Sequence, residues 1–209
     1  MKTLYHDIKG LPRLTWVLFV GTLINRFGSF VLLFLILYLK QKGFSIQEAG
    51  ITAGSYGIGA IVAALLGGYL ADHFGRRNTI ALSMGCAAVM LSVMSQVDGF
   101  VTMMIVTVGT GFAAELYRPA ASALLTDITT PEQRVTAFAV HRLAINLGFV
   151  AGPAIGGFLA MHSYIYLFIG NAATSLLYGV IAMMFLPSTR ASDVAGDDVS
   201  SDSVLTGAA

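Results

Sequence analysis

Apolar positions in this chain do not alternate with polar ones but run in long blocks. Six stretches, at 14–39, 47–71, 79–97, 100–126, 135–161 and 164–186, are dominated by apolar and small residues and hold few charges. Each is near or above the roughly 20 residues that a helix needs to cross a bilayer. The pattern predicts an all-α membrane protein of six transmembrane helices forming a single domain over 1–186. Residues 187–209 are rich in Ser, Asp and Gly and lack apolar periodicity, so a disordered polar tail is expected there.

Composition agrees with that pattern. Only 11% of the 209 residues are charged and 56% are hydrophobic, whereas a soluble domain carries about 25% charged residues. The first block is too long for a cleavable signal peptide and lacks a small-residue cleavage site, so it is expected to stay as the first span. Cys86 is the single cysteine, which excludes an intrachain disulfide. With a net charge of +1 and no basic patch, nothing points to nucleic acid. Hydrolase and metalloprotease signatures are absent, so no enzyme activity, metal or cofactor is expected. Gly54, Gly57 and Gly59 lie in a GSYGIG run that faintly resembles a nucleotide loop, but no strand precedes it and it sits inside an apolar span.

Lys and Arg set the orientation. With the N-terminus in the cytoplasm, Lys2, Lys9, Arg13, Arg76, Arg77, Arg134 and Arg190 lie inside, and only Lys40 and Lys42 lie outside. That bias places both termini on the cytoplasmic side of the cell membrane.

Two segments repeat. GGYLADHFGRR begins at Gly67, and 89 positions later GGFLAMHSY begins at Gly156, with the charges Asp72, Arg76 and Arg77 missing from the second copy. An offset of 89 aligns spans 1–3 with spans 4–6. Three is odd, so the triplets cross the membrane in opposite senses, the inverted-repeat plan whose working site lies near the midplane. Chance recurrence of a close-packing helix end is the alternative. The same offset pairs Arg26 with Glu115, each about 16–18 Å from the cytoplasmic helix ends, with Asn146 at similar depth and Arg118 and Arg142 about one turn lower.

An ionised residue at a helix centre costs about 2.5–3.5 kcal/mol against lipid, so these groups are expected to face one another or water. Glu115 and Arg118, three residues apart, can neutralise each other. Arg26 and Arg142 then leave positive charge over, which calls for an anion, carboxylates from elsewhere, or a wet cavity. Arginine does not titrate, so a proton carried in the bilayer core would ride on Glu115 or, failing that, on His141.

Gly68-x-Leu70-Ala71-Asp72-x-x-Gly75-Arg76-Arg77-x-x-Ile80 resembles the signature of the major facilitator superfamily between helices 2 and 3. Gly148-x-x-x-Gly152-Pro153-x-x-Gly156-Gly157 is similar to its antiporter motif, and Pro119 through Asp127 to Arg134 follows its helix 4–5 pattern. The resemblance implies one half of a major facilitator fold, built as two inverted three-helix repeats. It implies secondary active transport of a small molecule by alternating access, with proton-coupled efflux of the drug antiporter kind, in a lipid bilayer. It assigns a cytoplasmic gate to Asp72, Gly75, Arg76, Arg77 and Asp127. Helix packing falls to Gly148, Gly152, Pro153, Gly156 and Gly157, and the substrate and proton pathway to Arg26, Glu115, Arg118, Arg142 and Asn146. Members have two six-helix halves, so the facing wall would come from a second copy or a separate half. Thr107 departs from the pattern, since drug antiporters carry Arg four residues before the glycine matching Gly111. The alternative reading is a non-transporting membrane subunit or truncated relic.

Overall fold

Two of the six spans are interrupted, and each interruption falls beside one member of the Arg26–Glu115 pair. The computed structural model describes residues 7–187; the predicted tail from 188 onward, with Arg190, and Lys2 lie outside the described residues. The first span, Arg13–Gln41, divides into α1 (Arg13–Phe27) and α2 (Val31–Gln41). The second and third are single helices, α3 (Ile46–Phe74) and α4 (Arg76–Met94). The fourth, Phe100–Asp127, divides into α5 (Phe100–Glu115) and α6 (Tyr117–Asp127). The fifth is α7 (Pro131–His162) and the sixth is α8 (Ile165–Phe185).

The sequence reading treated these six segments as unbroken, and the breaks have local causes. Pro119 has no N–H to give the carbonyl of Glu115 and its ring crowds that carbonyl, so the α-helical ladder stops at Glu115. At Gly28 any side chain would run into Thr174 of α8, so the chain turns on a residue without one. Pro153 sits inside α7 without interrupting it. Helix starts are set by capping: Ser45 and Glu48 exchange side-chain and backbone bonds at 3.2 and 2.9 Å to open α3, and Thr130 with Gln133 opens α7.

The spans pack 2 on 4, 3 on 6 and 1 on 5, with 1 also against 6 and 3 against 4. Small residues bring the backbones close. Gly59 lies on the backbone of Val108 and Phe112, and Gly111 on that of Tyr56. Ser83 Oγ donates to the Ala113 carbonyl at 2.6 Å, tying α4 to α5. The buried apolar residues form two clusters: one around Leu18, Ile80, Met84, Tyr117 and Leu124, the other around Phe30, Leu35, Met94, Met103 and Phe168. Arg26 and Glu115 lie between them along α1–α2 and α5–α6. On the outer faces Ile61, Leu65, Val150 and Met161 are 64–84% exposed, a surface that suits lipid or another helical unit and not water.

Candidate functional site

Arg26 and Glu115 meet in the middle of the bundle. The guanidinium Nη1 stands 3.3 Å from Glu115 Oε1, and Nη2 lies 3.4 Å from both carboxylate oxygens. Both residues are buried, at 6% and 8% exposure. Glu115 Oε2 also faces Arg118 Nη1 at 2.8 Å, the i,i+3 pairing across the α5–α6 break. One carboxylate therefore lies between two guanidinium groups.

Two tyrosines complete the arrangement. Tyr56 Oη donates to Glu115 Oε1 at 3.0 Å, and Arg26 Nε donates to Tyr117 Oη at 3.1 Å. Tyr117 in turn packs edge-on against Tyr178 of α8, with ring centroids 5.6 Å apart. Each guanidinium nitrogen of Arg26 thus has a partner, and a buried charge needs such partners to be tolerated. Neither tyrosine was found from the sequence. The available signal was a phenol hydroxyl in an apolar span, which needs an acceptor, and Tyr56 lies in the glycine run discounted as a nucleotide loop.

A cavity of about 150 Å³ opens beside this cluster. Arg26, Tyr56, Glu115 and Arg118 form its polar end, while Val31, Leu35, Leu91 and Met94 form an apolar one. Asn25, Asn171 and Ser175 close the wall toward α8, with Asn25 Nδ2 donating to Ser175 Oγ at 3.3 Å. Phe149 of α7 covers the guanidinium of Arg26, which lies 5.7 Å from its ring centroid.

The five pathway residues expected together divide in two. Arg26, Glu115 and Arg118 are joined. Arg142 and Asn146 are not in the cluster: both are exposed on α7 and no described residue pairs with them. They share a stripe of α7 with Phe149, at i, i+4 and i+7, but of the three only Phe149 lines the cavity. His141, next to them, has a buried Nδ1 with no partner among the described residues.

At the end of the bundle holding Arg76, Arg77 and Arg134, the signature loop forms a compact joint. Gly75 adopts φ 87°, a conformation that side chains resist, and this turns α3 into α4 within one residue. Arg76 is buried at 7% exposure. Its Nε donates to Asp127 Oδ2 at 3.2 Å and its Nη1 pairs with Asp72, so one guanidinium ties α3, α4 and α6. Arg77, expected to share this work, makes no ion pair among the described residues; its Nε reaches only Asn78 Oδ1 at 3.5 Å. At the opposite end Lys42 Nζ holds Asp98 at 2.7 Å and the Val97 carbonyl at 2.8 Å. Burial by itself would lower the Lys42 pKa, but the bonds to Asp98 and Tyr38 outweigh it and leave the ammonium above the ordinary lysine value.

The antiporter-like glycines form the contact between α7 and the first span. A Cβ on Gly148 would lie 2.6 Å from Arg26 Cβ, and one on Gly156 would lie 2.8 Å from the Phe34 ring. Gly152 faces the Phe27 carbonyl and Gly157 only the edge of Phe34. Among the described residues no three His, Cys, Asp or Glu side chains gather to hold a metal.

Comparison with known proteins agrees with this architecture. The chain is 29% identical over 175 residues to an uncharacterized MFS-type transporter, YqjV, of Bacillus subtilis, covering 83% of this chain and 43% of that protein. It is 26% identical over 159 residues to the quinolone resistance protein NorA of Staphylococcus aureus, covering 76% of this chain and 41% of NorA. The chain thus spans about two fifths of the length of the curated relatives it matches. Among solved structures, a peptide transporter POT in complex with sulfate superposes with a TM-score of 0.72 at 20% identity, covering 94% of this chain and 45% of that one. A D-xylose–proton symporter gives 0.70 at 17%, covering 92% and 52%. The Major Facilitator Superfamily profile matches residues 18–202, and with the six spans and the signature joint in place, the chain belongs to the major facilitator superfamily.

Proposed function

We propose that this chain forms one six-span half of a secondary active transporter, moving a small molecule by alternating access in a proton-coupled efflux mode. The observation that carries the reading is the buried Arg26–Glu115–Arg118 cluster opening on a cavity between two apolar layers. Ionisable groups inside a membrane domain are expensive unless they line a pathway. The end bearing Arg76, Arg77 and Arg134 faces the cytoplasm, where Arg76 with Asp72 and Asp127 forms a gate. A further six-span unit, either a second copy or a separate half, covers the faces on which Leu65 and Val150 stand exposed.

Glu115 is the one carboxylate among the described residues that lies away from the span ends. Protonating it removes the charge that holds Arg26 and Arg118, which links proton binding to rearrangement of α1 against α5 and α6. The inverted repeat supports a hinge of this type. The two breaks lie within one residue of matching positions, since Gly28, just after α1, and Leu116, just after α5, are 88 positions apart against the offset of 89.

The test is flux in proteoliposomes under an imposed pH gradient. A quinolone is the first probe because of the similarity to NorA. Wild-type vesicles should move it, and Glu115→Gln, which keeps an acceptor for Arg26, should stay folded and lose the response to the gradient. Unchanged flux in that variant would remove Glu115 from the proton path. Absence of flux in wild-type vesicles would remove transport by this chain alone.

A further inference from the structure

The charges at the cavity do not balance. Arg26 and Arg118 contribute two guanidinium groups against the single carboxylate of Glu115. Each guanidinium nitrogen of Arg26 is engaged by Glu115 or Tyr117. Arg118 has one ion-pair partner among the described residues, and its side chain, which lines the cavity, is 52% exposed. Arg118 lies roughly 13 Å from the Asp127 end of α6, a depth where bulk water is not the natural neighbour.

The cavity is also polarised. Guanidinium and hydroxyl groups stand at one end, and Val31, Leu35, Leu91 and Met94 stand at the other. A pocket of that kind fits a ligand with one charged head and an apolar body. Guanidinium presents parallel N–H donors whose spacing matches a carboxylate.

We propose that the cavity is a site for a small organic anion, whose carboxylate binds the free edge of Arg118, with the apolar body against α2 and α4. Glu115 acts there as the built-in competitor. It occupies one face of Arg118 when no ligand is present, and its charge is the repulsion that an incoming carboxylate must overcome. The purpose of the site rests on the transport reading above, but its occupancy can be measured without any flux.

The full chain is placed in phosphatidylcholine nanodiscs and its thermal unfolding is followed at constant ionic strength. The probes are benzoate and benzylammonium, which share a ring and differ in the sign of the head. Benzoate should raise the midpoint saturably and benzylammonium should leave it in place. Arg118→Gln should weaken benzoate about tenfold, the usual effect of losing a hydrogen bond to a charged group. Glu115→Gln should tighten it, a gain that a merely structural role for Glu115 would not produce. Lys40→Gln, at the other end of the bundle, should leave it unchanged. Stabilisation by benzylammonium, indifference to benzoate, or full benzoate binding in Arg118→Gln each overturns the proposal. So does stabilisation by phosphatidylglycerol discs alone, which would assign the arginines to lipid headgroups. Benzoate binding without gradient-driven flux keeps the anion site and removes the transport reading; quinolone flux without benzoate binding does the reverse.

Discussion

Gly148 of α7 lies directly against Arg26 of α1, so close that a methyl group on the glycine would stand 2.6 Å from the arginine Cβ and 2.9 Å from its carbonyl carbon. The antiporter-like glycine face and the buried ion pair are therefore one unit: the glycine sets how near α7 comes to the helix that carries the charge. Gly148→Ala is expected to destabilise the protein by about 1–3 kcal/mol, the range for overpacking a filled interface, and to lower its unfolding temperature in nanodiscs. Gly54→Ala, with nothing within 4 Å of the added carbon, is the matched control and should be neutral or slightly stabilising. Equal midpoints for the two variants would show that α7 can retreat from α1 freely.

The two ends of the ion pair are not equivalent. Removing Arg26 leaves Glu115 beside Arg118, whereas removing Glu115 leaves Arg26 buried at 6% exposure with only Tyr117 as a polar partner. Glu115→Leu should approach the 3–5 kcal/mol typical of an orphaned buried charge, and Arg26→Leu should cost less. The double variant should recover part of the Glu115→Leu loss, a coupling that a double-mutant cycle in unfolding free energy reads directly. Additive losses would mean that Arg26 is hydrated from the cavity and does not depend on Glu115.

Much of this arrangement was legible in the chain. Apolar blocks of bilayer length fix the number of spans, and the 89-residue offset singled out Arg26 and Glu115 before any contact between them was known. Depth was legible because rise per residue is constant; rotation was not. Arg142 lies two residues, or about 200°, from Ala144 on the buried face of α7, which carries it away from the α1 contact although it shares the same slab. The helix breaks were hidden for a different reason. Pro119 was read as part of a motif, and its effect on the carbonyl four residues earlier is a backbone matter that apolar patterning does not register. The tyrosines were missed because hydropathy counts the ring and not the hydroxyl.

At the signature joint, work that the sequence shared between two arginines falls to one. Arg76 bridges Asp72 and Asp127 while Arg77 reaches only Asn78. Arg76→Lys keeps the charge and loses the fork that spans two carboxylates, so the start of α4 should loosen from the end of α6. Hydrogen exchange of amides in residues 128–130 and around Gly75 should rise several-fold in Arg76→Lys, while Arg77→Lys stays near wild type. Equal protection in both variants would remove Arg76 as the tie between α3, α4 and α6.

The repeat makes a sharper demand. Gly67 of α3 packs on Pro119 of α6, with a Cβ there 2.7 Å from the proline Cγ, and Gly156 of α7 packs on Phe30 and Phe34 of the first span at 3.1 and 2.8 Å. Gly67 and Gly156 are 89 positions apart, and so are Phe30 and Pro119. Each glycine thus meets a position that the offset of 89 pairs with the other's, Pro119 early in α6 and Phe30 just before α2. If the two triplets act as equivalent halves of one hinge, Gly67→Ala and Gly156→Ala should destabilise by similar amounts, about 1–3 kcal/mol each. Their combination should be additive, because the contacts involve different helix pairs. A large cost at one site and none at the other would show that one break is a rigid structural kink, leaving a single moving joint between the ion pair and the membrane surface.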